Sequence, residues 1–140
     1  MRRTIGASCA VIVLAVLLVA PAEAGVKLFT GTVAGGGDVS FQANFKRGKP
    51  KIAGFIEVAN LPVTCATGPT TAVQFSHSAL DVKVRKRKFS YTFQSFPAMF
   101  KGKFNKKGKK ATGMLDYGPS DVGGSTGCDA NGPLKWTARK

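Results

Sequence analysis

The feature that most constrains the fold is a regular alternation of apolar and polar residues in several short stretches. The alternation is found at 39–46, 80–85, 89–94, 100–105 and 134–139. In the first of these, Val39, Phe41 and Phe45 are separated by polar side chains. Successive residues of a β-strand point to opposite faces, so a period of two is typical of antiparallel strands with one buried face. We therefore predict an all-β protein.

Turn-forming residues between these stretches divide the chain into about eight strands. We predict strands at 26–33, 38–46, 51–59, 73–84, 88–95, 99–105, 110–117 and 133–139, with a break in the fourth near His77. Only the connections 60–72 and 118–132 are long. Short strands joined by turns favour an antiparallel β-sandwich or small barrel. The expected core consists of Phe41, Phe45, Val82, Phe89, Phe93, Phe100, Phe104, Leu115 and Trp136.

The first 24 residues have the organisation of a secretory signal peptide. Arg2 and Arg3 precede an uncharged, mostly apolar run at 5–20, and small residues at Ala22 and Ala24 suit signal peptidase. We predict cleavage after Ala24, which leaves a single secreted β domain at 25–140, extracellular or in the cell envelope, without a transmembrane span. The alternative is a retained membrane anchor, although this run is shorter than the about 20 residues of a spanning helix.

Two cysteines remain after this cleavage, one in each long connection. An even number of cysteines in an exported chain predicts a disulfide between Cys65 and Cys128. The alternative is two free thiols. In the chain-entropy model, closing so long a loop stabilises the folded state by about 4 kcal/mol.

The chain is strongly basic, with a formal net charge of +14. In an antiparallel meander, alternate connections lie at opposite ends of the domain. The second, fourth and sixth connections should therefore share one end, and each carries a basic cluster. The clusters are Lys46, Arg47, Lys49 and Lys51; Arg85, Lys86, Arg87 and Lys88; and Lys106, Lys107, Lys109 and Lys110. The opposite end should receive Asp38, Asp121, Asp129 and both cysteines.

A basic end of this kind attracts anions. For an exported protein, the candidate partners are anionic cell-envelope polymers and lipid head groups. Nucleic acid is a less suitable partner outside the cell, and the aromatic residues fall on the apolar face rather than among the lysines. The alternative is that the lysine-rich turns only keep the protein soluble and its sheet edges unpaired.

Few residues are available for catalysis, for metal binding or for a cofactor. Ser76, His77 and Ser78 are neighbours on a strand, so the imidazole and the hydroxyls point to opposite faces, and Asp81 alone does not complete a triad. Glu57 is the only glutamate after residue 24, whereas a glycosidase needs two placed carboxyls. A single histidine beside two paired cysteines cannot hold zinc. We expect no enzymatic activity, no cofactor and no metal.

Oxygen-rich side chains near the second long connection raise the alternative of calcium. They are Asp116, Asp121, Asp129 and Asn131. Their spacing matches no calcium-binding loop, and aspartate, asparagine and glycine also build ordinary turns.

The C-terminal segment resembles the closing strand of a group of small secreted bacterial all-β proteins. Their ending, Cys-x-x-Gly-x-x-x-Trp-x-Ala-basic, is matched by 128–140, with one more residue between Cys128 and Gly132. Their Phe-x-Gly-x-Phe strand, basic turn and Ala-x-Gly strand are matched by 100–104 and 111–113. The resemblance implies an all-β fold and export, and it assigns no functional residue.

These observations predict a secreted or envelope-associated binding module that uses its basic end for anionic polymers. One alternative is a small-ligand binder, with a pocket between sheets or at the cysteine-bearing loops. An internal cavity lined by Tyr91, Ser95 or glutamine would favour it. The other alternative is a hydrolase whose site is not recognised.

Overall fold

The described part of the chain is built from eleven β-strands. A computed structural model describes residues 24–140, so the predicted signal peptide, apart from Ala24, lies outside the described residues. The strands are β1 (Gly25–Val33), β2 (Asp38–Lys46), β3 (Lys49–Val63), β4 (Thr71–His77), β5 (Val82–Lys83), β6 (Lys88–Thr92), β7 (Ala98–Phe104), β8 (Lys110–Tyr117), β9 (Ser120–Val122), β10 (Ser125–Cys128) and β11 (Leu134–Arg139). No helix occurs within residues 24–140, and the all-β prediction is confirmed.

Eight strands form one curled antiparallel sheet in the order β4-β3-β2-β1-β11-β8-β7-β6. Strand β5 pairs with the beginning of β3, while β9 and β10 form a separate ribbon. Strand β11 lies between β1 and β8, so the two halves of the chain meet along it. The architecture is a half-barrel in which this one sheet curls around the core.

The two margins of the curled sheet approach each other through aromatic rings. His77 of β4 stacks on Tyr91 of β6 with ring centroids 4.0 Å apart. Phe75 of β4 meets Phe93 edge-on at 4.9 Å. Nearer the other end of the sheet, β5 pairs with β3, and a tight turn connects β5 to β6. The margins are therefore connected by side chains in one half of the sheet and by β5 in the other.

The concave side of the sheet is filled by aromatic side chains. Every residue that we expected in the core is buried, and Phe41, Phe100 and Phe104 are 0% exposed. The ring of Phe41 lies within 6.0 Å of the rings of Phe29, Phe89, Phe100, Phe104 and Trp136. Edge-on and stacked pairs of this kind add to the stability gained from burial.

The long connections differ from the prediction. The prediction of a long connection without strands at 118–132 was wrong, since this segment contains β9 and β10. Strand β3 also continues to Val63, beyond its expected end. Its pairing with β2 and β4 is shifted at bulges, and Phe55 and Asn60 have φ angles of +44° and +53°. A bulge changes which face the next side chains occupy, so the period of two does not continue through it. The break near His77 is confirmed.

The disulfide between Cys65 and Cys128 is confirmed, with an S–S distance of 2.06 Å. It joins the β3–β4 connection to the end of β10. Thr64 and Asp129 beside it exchange backbone hydrogen bonds of 2.9 and 3.0 Å. The predicted long loops are thus paired with each other at what we call the cysteine end of the molecule.

Candidate anion-binding site

Three basic connections lie together at the end of the sheet opposite the disulfide. They are the β2–β3, β5–β6 and β7–β8 turns, and each follows a strand that runs away from the cysteine end. We define residues 46–51, 85–88 and 106–110 as the basic end. Their common position follows from the alternation of strand directions, as the sequence predicts.

The β5–β6 turn holds two basic residues in an unfavourable backbone conformation. Arg85 and Lys88 exchange backbone hydrogen bonds of 2.9 and 2.8 Å around a two-residue turn. Lys86 and Arg87 between them have φ angles of +48° and +67°. A turn with two positive φ angles ordinarily takes asparagine and glycine, because in most other residues the Cβ is strained against the backbone there. Lys86 and Arg87 therefore occupy a turn whose backbone conformation favours other residue types.

The β7–β8 turn is held by contacts to the core and to its own backbone. Gly108 has a φ of +64° and is packed so closely on Phe45 that a Cβ would lie 2.8 Å from the ring. The Asn105 side-chain oxygen accepts hydrogen bonds from the backbone of Lys109 and Lys110, at 3.0 and 3.3 Å. The lysines of this turn are thereby carried on a fixed backbone.

The three turns line one cleft of about 390 Å³, which we call the basic cleft. Its charged lining residues are Lys49, Lys51, Lys86, Arg87 and Lys106. Val84, Pro50 and Asn105 contribute uncharged surface, and no aspartate or glutamate of residues 24–140 lines it. Arg87 is half-buried, and its guanidinium donates to the Phe104 carbonyl at 3.4 Å. Cations from all three basic clusters therefore surround a single concave surface.

Within residues 24–140, no ion pair balances the cations of this region. Basic residues stand opposite each other at Lys46 and Lys49, Arg85 and Lys88, Lys88 and Lys103, and Lys110 and Arg139. Like charges directly opposite on neighbouring strands destabilise a sheet. In the part of the chain that the structure describes, no lysine or arginine from Lys27 to Arg139 forms an ion pair. Their charge is available to an external anion.

The predicted basic residues do not all face this cleft. Those outside its lining are Lys46, Arg47, Arg85, Lys88, Lys107, Lys109 and Lys110. Arg85 and Lys88 line a groove on the outer face of the sheet, together with Lys83, Lys101 and Lys103. These last three lysines were missed from sequence because single lysines on strands resemble a solvated face. The sequence does contain an indication of the groove, since Lys101 and Lys103 are two residues apart on one strand and must share a face.

The residues considered for catalysis have structural contacts. His77 Nε2 lies 2.6 Å from Asp81 Oδ1, and its ring packs on Tyr91 rather than meeting Ser76 or Ser78. Glu57 accepts a hydrogen bond of 3.0 Å from the side chain of Gln74. The contacts of His77 connect the two margins of the sheet, and the contact of Glu57 connects β3 to β4.

The acidic residues of the cysteine end serve the local backbone. Asp121 Oδ1 accepts from the Gly127 backbone at 3.1 Å, and Asp129 Oδ1 accepts from that of Asn131 at 2.7 Å. Among residues 24–140, no cluster of three or more histidine, cysteine, aspartate or glutamate side chains could hold a metal ion.

A second cleft, of about 410 Å³, lies towards the cysteine end between β4 and β9. Its lining includes Gln74, Ser95, Tyr117 and Asp121. Tyr91, which we had considered for such a pocket, is instead covered by His77. This cleft opens to the surface, while the concave side of the sheet is occupied by the aromatic core.

Comparison of the chain with protein families, with curated proteins and with solved structures gives no match. Residues 24–140 also include no helix with the length and apolar character needed to cross a membrane.

Proposed function

We propose that the protein is a secreted or envelope-associated binding module that holds anionic polymers at its basic end. The observation that carries this proposal is the basic cleft, where Lys51, Lys86 and Lys106 come from three separate turns to line one concave surface. Cations that converge in this way concentrate anions more strongly than cations dispersed over a surface. The predicted signal peptide and the disulfide support a location outside the cytoplasm.

Two further observations support a binding role over solubility alone. Solubility needs dispersed charge and places no demand on backbone geometry, yet Lys86 and Arg87 occupy strained turn positions. Solubility is also compatible with nearby acidic residues, yet none lines the cleft. Both features weaken the folded state, and a bound anion would compensate for the repulsion between the cleft cations.

The test is a binding titration with a glycerol-phosphate polymer and with an acidic polysaccharide, at low and at high salt. Affinity should fall steeply as salt rises, because binding releases counterions from the polymer. The variant Lys51→Gln/Lys86→Gln should bind more weakly by about fivefold for each lysine, if each contributes about 1 kcal/mol as lysines do at anionic surfaces. Its melting temperature should not fall, since exposed lysines without an ion pair contribute little to stability.

The matched control is Lys27→Gln/Lys135→Gln, which removes the same charge from residues that do not line the cleft. It should bind almost as well as the unmodified protein. Equal losses in the two variants would show that only net charge matters, and binding that ignores salt would contradict the proposal.

The cleft that contains Gln74 and Ser95 favours a second candidate function, the binding of a small polar ligand. Its lining offers amide, hydroxyl and carboxylate groups beside the ring of Phe96. The affinity for such a ligand should be unchanged by Lys51→Gln/Lys86→Gln and lowered by Gln74→Ala. This difference separates the two functions.

A further inference from the structure

A shallow, open depression with several basic lining residues lies on the outer face of the sheet next to the basic end. It has a volume of about 460 Å³ and is called here the outer groove. Its basic lining residues are Lys83, Arg85, Lys88, Lys101 and Lys103. The row of Lys88, Lys103 and Thr112 forms one wall, and the row of Ser90, Lys101 and Met114 forms the other. Gly102 and Gly113 lie between these rows, so backbone forms the floor.

The outer groove and the basic cleft are parts of one continuous basic track. A smaller depression of about 270 Å³ lies between them. It shares Arg87 and Asn105 with the cleft, and it shares Lys103 and Thr112 with the groove. Lys110 adds a further cation at this junction, and within residues 24–140 no carboxylate lines any of the three depressions.

The β5–β6 turn supplies both parts of the track with consecutive residues. Lys86 and Arg87 line the basic cleft, whereas Arg85 and Lys88 line the outer groove. The basic run 85–88 therefore faces two directions, one towards the end of the molecule and one towards its flank.

From this continuity we infer that the protein binds a linear polyanion along its length, from the basic cleft onto the flank of β6, β7 and β8. The inference rests on the proposed function and specifies its ligand as an extended chain with regularly spaced negative charges. Neighbouring strands are about 4.8 Å apart, so the three strands of the groove span about 10 Å. A chain that also reaches the cleft must carry several charged repeats.

The shape of the track favours a flexible chain over a lipid surface. The cleft opens at the end of the sheet, and the groove opens on its outer face. A flat bilayer can contact one of these directions at a time, whereas a chain can bend from one to the other. The groove walls also contain the aliphatic stems of Lys101 and Lys103, which allow close contact with a sugar or glycerol backbone.

The experiment compares tripolyphosphate with long-chain inorganic polyphosphate as probes of the folded, disulfide-bonded protein. The groove variant is Lys101→Gln/Lys103→Gln, the cleft variant is Lys51→Gln/Lys86→Gln, and the control is Lys27→Gln/Lys135→Gln. The groove variant should bind tripolyphosphate as the unmodified protein does and long-chain polyphosphate more weakly. For the long chain, the logarithm of the association constant falls linearly with the logarithm of the salt concentration. The steepness of this fall should become smaller by about 0.7 for each lysine removed.

The cleft variant should lose affinity for both probes, and the control should retain both. If the unmodified protein binds the two probes equally per molecule and the groove variant behaves like the control, the extended track is refuted while the cleft function stands. If neither probe binds, both proposals fail. If anionic phosphatidylglycerol vesicles bind more tightly than the long chain, with equal losses in the groove and cleft variants, the ligand is a lipid surface and the inference is overturned.

Discussion

Gly102 and Gly113 lie opposite each other on β7 and β8 and make room for the single tryptophan. A Cβ on Gly113 would lie 1.7 Å from the Lys101 carbonyl oxygen and 2.7 Å from the Trp136 ring. A Cβ on Gly102 would meet the rings of both Phe89 and Trp136, at 2.6 and 2.7 Å. The indole in turn donates from Nε1 to the Lys101 carbonyl at 3.1 Å. These glycines are therefore packing residues under an aromatic layer.

At this scale we predict that Gly113→Ala destabilises the protein. The new methyl group must displace β7 or the indole, which costs about 1–3 kcal/mol in cores of this density. Trp136 fluorescence should shift to longer wavelength as the ring is displaced, and the melting temperature should fall. Thr112→Ala, at the adjacent exposed position, is the control and should change neither. An unchanged emission spectrum in Gly113→Ala would disprove this account of the glycines.

At the scale of elements, the disulfide reinforces a set of hydrogen bonds between two segments that are distant in the sequence. Besides the bond itself, Ala66 donates its backbone N–H to Thr126 at 2.9 Å, and the Thr67 and Thr126 side chains share a hydrogen bond. The short ribbon of β9 and β10 is thereby held against the end of β3. Two strands of three and four residues have little independent stability, and their order depends on this attachment.

The corresponding prediction is that Cys65→Ala/Cys128→Ala lowers the free energy of unfolding by about 4 kcal/mol. Urea unfolding of the variant and of the unmodified protein would measure the difference. Chemical reduction of the unmodified protein should produce a similar loss. Thiol titration serves as the check, and two free sulfhydryls in the folded, exported protein would contradict the disulfide.

At the scale of the whole molecule, charge is distributed unequally between the two ends. At the basic end, cations lie opposite cations on neighbouring strands, as Lys88 and Lys103 do. The aspartates Asp38, Asp121 and Asp129 lie at the cysteine end. The folded state therefore contains repulsion that the extended chain would relieve. Dissolved salt reduces such repulsion because it screens exposed charges.

We therefore predict that the melting temperature rises as sodium chloride is added at moderate concentration. Each kcal/mol of relieved repulsion should raise it by about 4 °C. Lys88→Gln should raise the melting temperature at low salt and reduce its dependence on salt, because Lys88 opposes both Arg85 and Lys103. Calorimetry over a series of salt concentrations measures both effects. A melting temperature that falls with salt would indicate that attractive pairs dominate.

Local sequence was sufficient for the strands whose side chains alternate without interruption. The bounds of β2 and β8 agree with the expected 38–46 and 110–117, because one face of β2 is buried throughout and Ala111, Leu115 and Tyr117 are buried on one face of β8. The common position of the three basic turns also followed from sequence, since it needs only the number of reversals between them. The bulges at Phe55 and Asn60 and the ribbon of β9 and β10 could not be foreseen, because their backbone conformations depend on pairing with distant segments.

The sequence by itself determined the strand pattern, the buried aromatic face, the cysteine pair and the gathering of Lys49, Lys86 and Lys106 at one end, because these depend on the period of side chains and on chain reversal. Only the tertiary structure decided that one sheet curls on itself, and that β11 lies between β1 and β8. It also decided that Lys83, Lys101 and Lys103 share a groove with Arg85 and Lys88. The order of strands and their register are set by the packing of Trp136 and the phenylalanines across the whole core, and a local pattern does not contain that information.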